Sequence, residues 1–313
     1  MTMTRFGDVP ARLGRIALRT EPRGPGLAVG RFLLALAQLS TLAFSPDAVL
    51  FSPVLSPPDG VRCDGMRSLS LWCLTGGSSH GMIISRIMTI GVLLAVMSGY
   101  RPRFLCVPHW YVAFSSVVAV PVPNGGERAL MLASMLLIPM CLGDDRRWQW
   151  TRPRTPLPPV WRGAAFAARY ALRLQLSVIY LGAVVSKLSD PLWRQGSAMF
   201  VIVNYPQAGF SASVRDLLEP VLRTYWVVAA VSWSVIGAQL VLVVLLWSGA
   251  RARWWALALG SGFHVGIMFL MSLAVFGLAM IGVLAIVCVP PRRVGESVGI
   301  GNDQEVRTAT VRG

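Results

Sequence analysis

One amine stands out among the ionisable side chains. Of the 29 basic residues 28 are arginine, and the remaining one is Lys187. An arginine guanidinium stays protonated in a protein, whereas a desolvated lysine can lose its proton and act as a base or a nucleophile. The competing reading is a chance leftover in an arginine-rich chain. The second residue of interest is His264, the single His, Lys, Arg, Asp or Glu between Trp254 and Val289. A lone histidine on an apolar helix is more often a packing residue than a catalyst, yet inside a membrane a polar group is costly without a role or a partner. Acid–base chemistry is what Lys187 and His264 could do together. Spacing leaves open whether they meet.

Other chemistries find no support. The histidines His80, His109 and His264 lie in separate segments, and no HxxxH, HExxH or CxxC spacing occurs, so no metal site is expected. There is no GxGxxG or GxxxxGK[ST] string for a nucleotide. No acidic pair falls inside an apolar stretch, which argues against a carboxylate proton relay. Cys63 and Cys73 share one segment, and two readings are open for them: a disulfide in an oxidising compartment, or two buried thiols.

The elements that carry these residues must cross a membrane. Apolar residues make up 54% of the 313 and charged ones 14%, against about a quarter charged in soluble domains. The net charge of +15 could suggest nucleic acid, but no basic tract is interleaved with aromatics, and arginines collecting in cytoplasmic loops account for it. A spanning helix needs roughly 20 apolar residues. Arg, Pro and Gly-rich borders mark such stretches at 26–45, 81–98, 104–120, 128–142, 160–188 and 225–247. The stretch 254–289 would make one helix of about 54 Å against a core of about 30 Å, so two short spans joined near Met271 and Ser272 fit better.

The expected fold class is therefore all-α, a multipass bundle of about eight spans. Five arginines between Arg5 and Arg23, and Arg146, Arg147, Arg152, Arg154 and Arg162 in a later loop, place both termini in the cytoplasm. Three regions follow: a basic N-terminal segment at 1–25, the transmembrane domain at 26–290, and a disordered tail at 291–313. Segment 46–80, with Asp47, Asp59 and Asp64 balancing Arg62 and Arg67, and the mixed loop 189–224 belong outside. Arg86 lies within the second span, with snorkelling or an outer carboxylate as its two accounts.

The helix at 160–188 is not uniformly apolar. Arg173, Tyr180 and Lys187 follow Arg169 at offsets of 4, 11 and 18 residues, which at 100° per residue keeps all four in one narrow stripe. Such a stripe should face the bundle interior or a wet cavity. For the two arginines, snorkelling to the inner headgroups is the simpler expectation. Tyr180 and Arg173, with Trp193 just beyond the helix, are the candidates for lining a pocket around Lys187.

These residues carry a family likeness. Ile179 to Leu188, followed by Asp190, Trp193 and Gly196, resembles the Y-x-x-A-x-x-x-K-L-x-x-x-W-x-x-G pattern of the membrane domain shared with vitamin K-dependent gamma-carboxylase, the HTTM domain. Phe263-His264-x-Gly266, with Phe276 downstream, resembles that family's F-H-x-G segment. The resemblance implies that Lys187 is a base and that His264 is at an active site, with a membrane quinone as the implied cofactor. Gly30-Arg31, the string 99–103, the turn Asn124-Gly125-Gly126-Glu127 and the string 142–150 are similar to the bacterial sporulation-delaying protein B branch. That branch usually has Asp where Glu127 stands. With no lumenal domain expected after residue 290, protein carboxylation is not expected to transfer. The branch implies a role in activating a secreted toxin peptide beside a small partner protein.

Three readings of function follow. The first is a bacterial cell-membrane protein assisting maturation or export of a secreted toxin-like peptide, through an outward-facing pocket around Lys187. The second is a quinol-dependent enzyme using Lys187 as base and His264 as hydrogen-bonding partner. The third is a scaffold or immunity-like protein without chemistry.

Overall fold

A computed structural model describes residues 8–51, 61–121, 123–205, 212–271 and 273–294. Asp59, Ser272, Arg5 and the tail beyond 294 lie outside the described residues.

The chain is built of helices. In order they are α1 (Asp8–Arg19), α2 (Pro25–Phe44), α3 (Asp47–Leu50), α4 (Leu71–Leu74), α5 (Ser79–Ser98), α6 (Pro102–Ala119), α7 (Gly125–Cys141), α8 (Pro159–Ser189), α9 (Pro191–Arg194), α10 (Ala198–Val203), α11 (Ala212–Leu222), α12 (Tyr225–Trp247), α13 (Ala250–Met271) and α14 (Ala274–Cys288). Proline opens α2, α6 and α8, where its missing N–H and fixed φ cost nothing. Gly99 ends α5 in the left-handed conformation at φ 81°. Asn124 and Glu127 form a reciprocal capping box at the start of α7, with Asn124 Oδ1 accepting from the Glu127 N–H at 2.9 Å and Glu127 Oε2 accepting from the Asn124 N–H at 3.0 Å. The longer glutamate suits that return bond.

Five helices, α2, α5, α8, α12 and α13, are long and apolar enough to cross a membrane. The other long helices among the described residues, α6, α7 and α14, have 18, 17 and 15 residues, so a count of eight requires these three as well. The chain does break after Met271 and resume as α14 at Ala274. Apolar side chains such as Ile87 on α5 and Val244 on α12 stay exposed, as suits contact with lipid.

The core forms around α14. It is apolar on every side and buried along most of its length, as expected of a helix with no polar stripe. It lies against α2, α13, α7 and α8. Glycines set the closeness to α2. A Cβ on Gly30 would come 2.6 Å from the Gly282 carbonyl oxygen, and one on Gly26 would come 2.7 Å from that of Ala285. Small residues at such a spacing let backbones touch, which is how helices associate where lipid removes the hydrophobic drive.

One end of the bundle is basic and tied by charge. The strands β1 (Thr20–Glu21) and β2 (Arg292–Arg293) pair antiparallel, which brings both flanks of the helical region together. Arg23 lies against Glu21 at 2.7 Å, and against Asp144 and Asp145 at 3.8 and 3.7 Å. Arg146 grips Asp144 at 2.6 Å, and Arg31 donates to Gln149 Oε1 at 2.6 Å. The string 142–150 is thus a structural clasp. At the opposite end Arg86 pairs with Asp47 at 2.7 Å and donates to the carbonyls of Leu42 and Ser45, so a carboxylate and two helix-end carbonyls account for it. Cys63 and Cys73 are disulfide-bonded there, 5.6 Å apart at Cα.

The two arginines of the stripe do not snorkel. Both are buried. Arg169 donates to the carbonyls of Val287 and Val289, which at the end of α14 have no helical partner. Arg173 lies over the rings of Tyr170 at 4.7 Å and Trp247 at 5.4 Å.

Candidate functional site

The remaining two stripe residues face a cavity of about 520 Å³, within the usual size of small-ligand sites. Lys187 and Tyr180 come from α8, Val231, Val235 and Gln239 from α12, and Gly262, His264 and Gly266 from α13, while Phe276 and Met280 on α14 close the remaining side. Trp193 on α9, with Met199 and Ile202 on α10, roofs it. Antiparallel neighbours explain the convergence, since α8 and α13 run in one sense with α12 between them in the other. Ser232 fastens the roof to α12, accepting from the Met199 N–H at 3.2 Å and donating to the Gly196 carbonyl at 3.1 Å.

Two polar groups lie deep. Tyr180 Oη and His264 Nε2 are 3.1 Å apart, with both side chains almost wholly buried. The imidazole is boxed by Phe263 and Phe276 at 5.2 and 5.4 Å in edge contacts. Its Nδ1 is buried and has no partner among the described residues. Gln239 is 5% exposed, and its Oε1 likewise lacks a partner. A buried amide or imidazole nitrogen left unpaired in a low-dielectric site costs about 1–3 kcal/mol.

Lys187 occupies a different level. It is half-buried, its Nζ 5.1 Å from the Trp193 ring centre, a favourable cation–π distance. Its ammonium has no ion pair or hydrogen bond among the described residues, and no acidic residue lines the cavity. Tyr180 lies seven residues earlier on the same helix, a rise of about 10 Å. Lys187 and His264 therefore share a cavity without forming a hydrogen-bonded pair, and Arg173 lies outside the lining altogether. Among the described residues no three His, Cys, Asp or Glu side chains are grouped so that they could hold a metal ion.

Sequence reading missed Gln239 and the open wall beside it. The signal was present, since Gln239 is the single amide in the mostly apolar α12. Gly262 and Gly266 are four residues apart, and a Cβ on either would meet nothing within 4 Å. A glycine pair of that spacing ordinarily marks helix contact; here it leaves space.

No protein-family model matches the chain, and no solved structure does. Two proteins of Bacillus subtilis (strain 168) are similar to it along most of their length. The uncharacterized protein YitO is 29% identical over 278 residues, covering 87% of this chain and 88% of its own. The sporulation-delaying protein SdpB is 30% identical over 260 residues, covering 83% of this chain and 79% of its own. With spanning-length apolar helices and that similarity over most of both chains, the chain belongs to the sporulation-delaying protein B family.

Proposed function

We propose that this chain is a multipass protein of the bacterial cell membrane that assists maturation or export of a secreted toxin-like peptide, acting through the cavity beneath Lys187. Eight spans, counting α6, α7 and α14, with both termini cytoplasmic, put the Lys187 end on the outer face, where a secreted product emerges. The observation that carries the reading is an amine without a carboxylate partner among the described residues at the mouth of an apolar cavity, in a family whose named member is a sporulation-delaying protein. A small partner protein would complete the machinery.

Lys187→Arg tests it in a producing cell with membrane insertion checked. Arginine keeps the charge and nearly the length but cannot give up its proton. Mature peptide is expected to fall at least tenfold at normal protein level, because a guanidinium keeps the charge of the protonated amine but cannot then release a proton, the usual contribution of a positioned acid or base. Unchanged product would leave a scaffold without chemistry.

A quinol-using enzyme is the second reading, favoured by the apolar walls and by the orphaned polar atoms of His264 and Gln239. A bound quinol would supply electrons, while Tyr180, His264 and Gln239 would hydrogen-bond its ring oxygens and Lys187 would hold or take a proton nearer the mouth. Quinone co-purifying with the protein, and lost in Gln239→Leu, would support it.

A further inference from the structure

The polar groups of the cavity occupy two levels, and the distance between them has a chemical meaning. Trp247 on α12 lies over Arg173 and donates to Ser177 Oγ at 2.9 Å. Gln239 is eight residues back along α12, and Tyr180 is seven residues forward of Arg173 on antiparallel α8. Gln239 therefore stands at the level of Tyr180. The α13 side agrees, because a Cβ on Gly260 would touch Leu242, and one turn further from each places His264 beside Gln239. The lower level thus holds an amide oxygen, Gln239 Oε1, and an imidazole nitrogen, His264 Nδ1, neither with a partner among the described residues. About 10 Å above it is a cation with no counterion among the described residues.

We propose that the cavity holds an extended, apolar peptide segment bearing a carboxylate, with the carboxylate on Lys187 Nζ and a backbone amide on Gln239. An extended chain advances roughly 3.3 Å per residue, so a 10 Å offset corresponds to about three residues. A primary amide offers one acceptor and two donors and matches both groups of a peptide bond. A plain lipid chain would leave Gln239 and His264 Nδ1 as unpaired as they are without it. Gly262 and Gly266 make the wall along which the apolar side chains lie, since they leave open the space that other residues would fill. Leu270, Leu273 and Val231 line the cavity and remain exposed, so the chain can continue out of it sideways. The proposal rests on the peptide reading above and names what that peptide presents. Its carboxylate is either the chain terminus or an acidic side chain.

Purified full-length protein in lipid nanodiscs would be titrated with three probes: N-acetyl-trileucine with a free carboxylate, its C-terminal amide, and N-acetyl-dileucyl-aspartyl amide, which carries only a side-chain carboxylate. The free acid is expected to bind at least tenfold tighter than the amide, in line with a charge-assisted contact. The aspartyl probe matching the acid shows that the cavity holds either kind of carboxylate, its binding tighter than the acid identifies a side chain, and its matching the amide identifies the terminus. Lys187→Gln should erase the difference between acid and amide, and Lys187→Arg should keep it. Gln239→Leu should weaken both by about tenfold, the cost of one buried hydrogen bond. Gly266→Leu should abolish binding, whereas Gly91→Leu, at an exposed glycine on α5, should not. Equal binding of acid and amide, binding of neither, or wild-type binding by Gly266→Leu overturns the proposal. Loss of peptide production in Lys187→Arg cells alongside failure of all three probes would sink this inference and leave the functional reading standing. The reverse pattern would sink the functional reading alone.

Discussion

Replacing Arg23 with alanine is expected to lower the thermal midpoint of the detergent-solubilised protein more than removal of any surface arginine, by an amount equivalent to about 3–5 kcal/mol. The side chains of Arg23 and Glu21 are 2% and 0% exposed. The guanidinium donates to both Glu21 carboxylate oxygens, at 2.7 and 3.0 Å, and to the carbonyl of Thr155. Glu21 also accepts from the Leu157 N–H at 3.0 Å. Without Arg23 a buried carboxylate keeps a backbone partner but loses its charge partner, and Asp144 retains only Arg146. The control is Arg223→Ala, whose pair with Glu219 is 76% and 58% exposed and worth under about 1 kcal/mol. The double change Glu21→Gln with Arg23→Met should recover part of the loss, because removing both charges is cheaper than stranding one. Equal midpoints for Arg23→Ala and Arg223→Ala would refute the clasp.

That clasp shows where reading by sequence stops. The borders of the long helices were legible because arginine, proline and glycine bound the apolar stretches, and α2, α5, α8 and α12 begin and end within about two residues of those marks. The interior-facing stripe on α8 was legible too, since 3.6-residue periodicity is a local property. What escaped depends on elements far apart in the chain. Glu21 and Leu157 meet across 136 residues, and Tyr180 and His264 across 84. No periodicity encodes such meetings. The string 142–150 was read as a family mark, yet its physical role, holding Arg23 and Arg31, exists only once α2 lies beside that loop.

The arginines of the stripe fail for a different reason. Snorkelling is the cheaper course for a guanidinium near a helix end when water is within reach. Arg169 has a better partner, the unpaired carbonyls at the end of α14, which come within its reach only because α14 is short and central. Gln239 is not singled out by the sequence reading at all. One amide among apolar residues is compatible with glue between helices, and only the packing reveals that its carbonyl oxygen meets no donor among the described residues.

Gly30→Val should separate α2 from α14, and its effect should reach the cavity. A Cβ on Gly30 would sit 2.2 Å from Ile286 Cγ1 and 2.6 Å from the Gly282 carbonyl oxygen. The isoleucine can turn away, but a helical backbone oxygen cannot move without its helix. Overpacking of this kind costs typically 1–3 kcal/mol, and a backbone contact places this substitution at about the upper end. Ile286→Ala added to Gly30→Val should therefore recover only part of the loss. Gly91→Val on α5, where a Cβ would meet nothing within 4 Å, should leave the thermal midpoint within about 1 kcal/mol of the parent, a difference set by helix propensity. The displaced helix carries Phe276 and Met280 into the cavity wall, and a Cβ on Gly277 would already touch the His264 carbonyl at 2.9 Å. Movement of α14 is then movement of the His264 level relative to Lys187. Gly30→Val protein that remains folded should show altered accessibility of a cysteine placed at Val235 on the facing helix, read by the rate of thiol labelling. An unchanged thermal midpoint together with an unchanged labelling rate would show that α14 is not held by that contact.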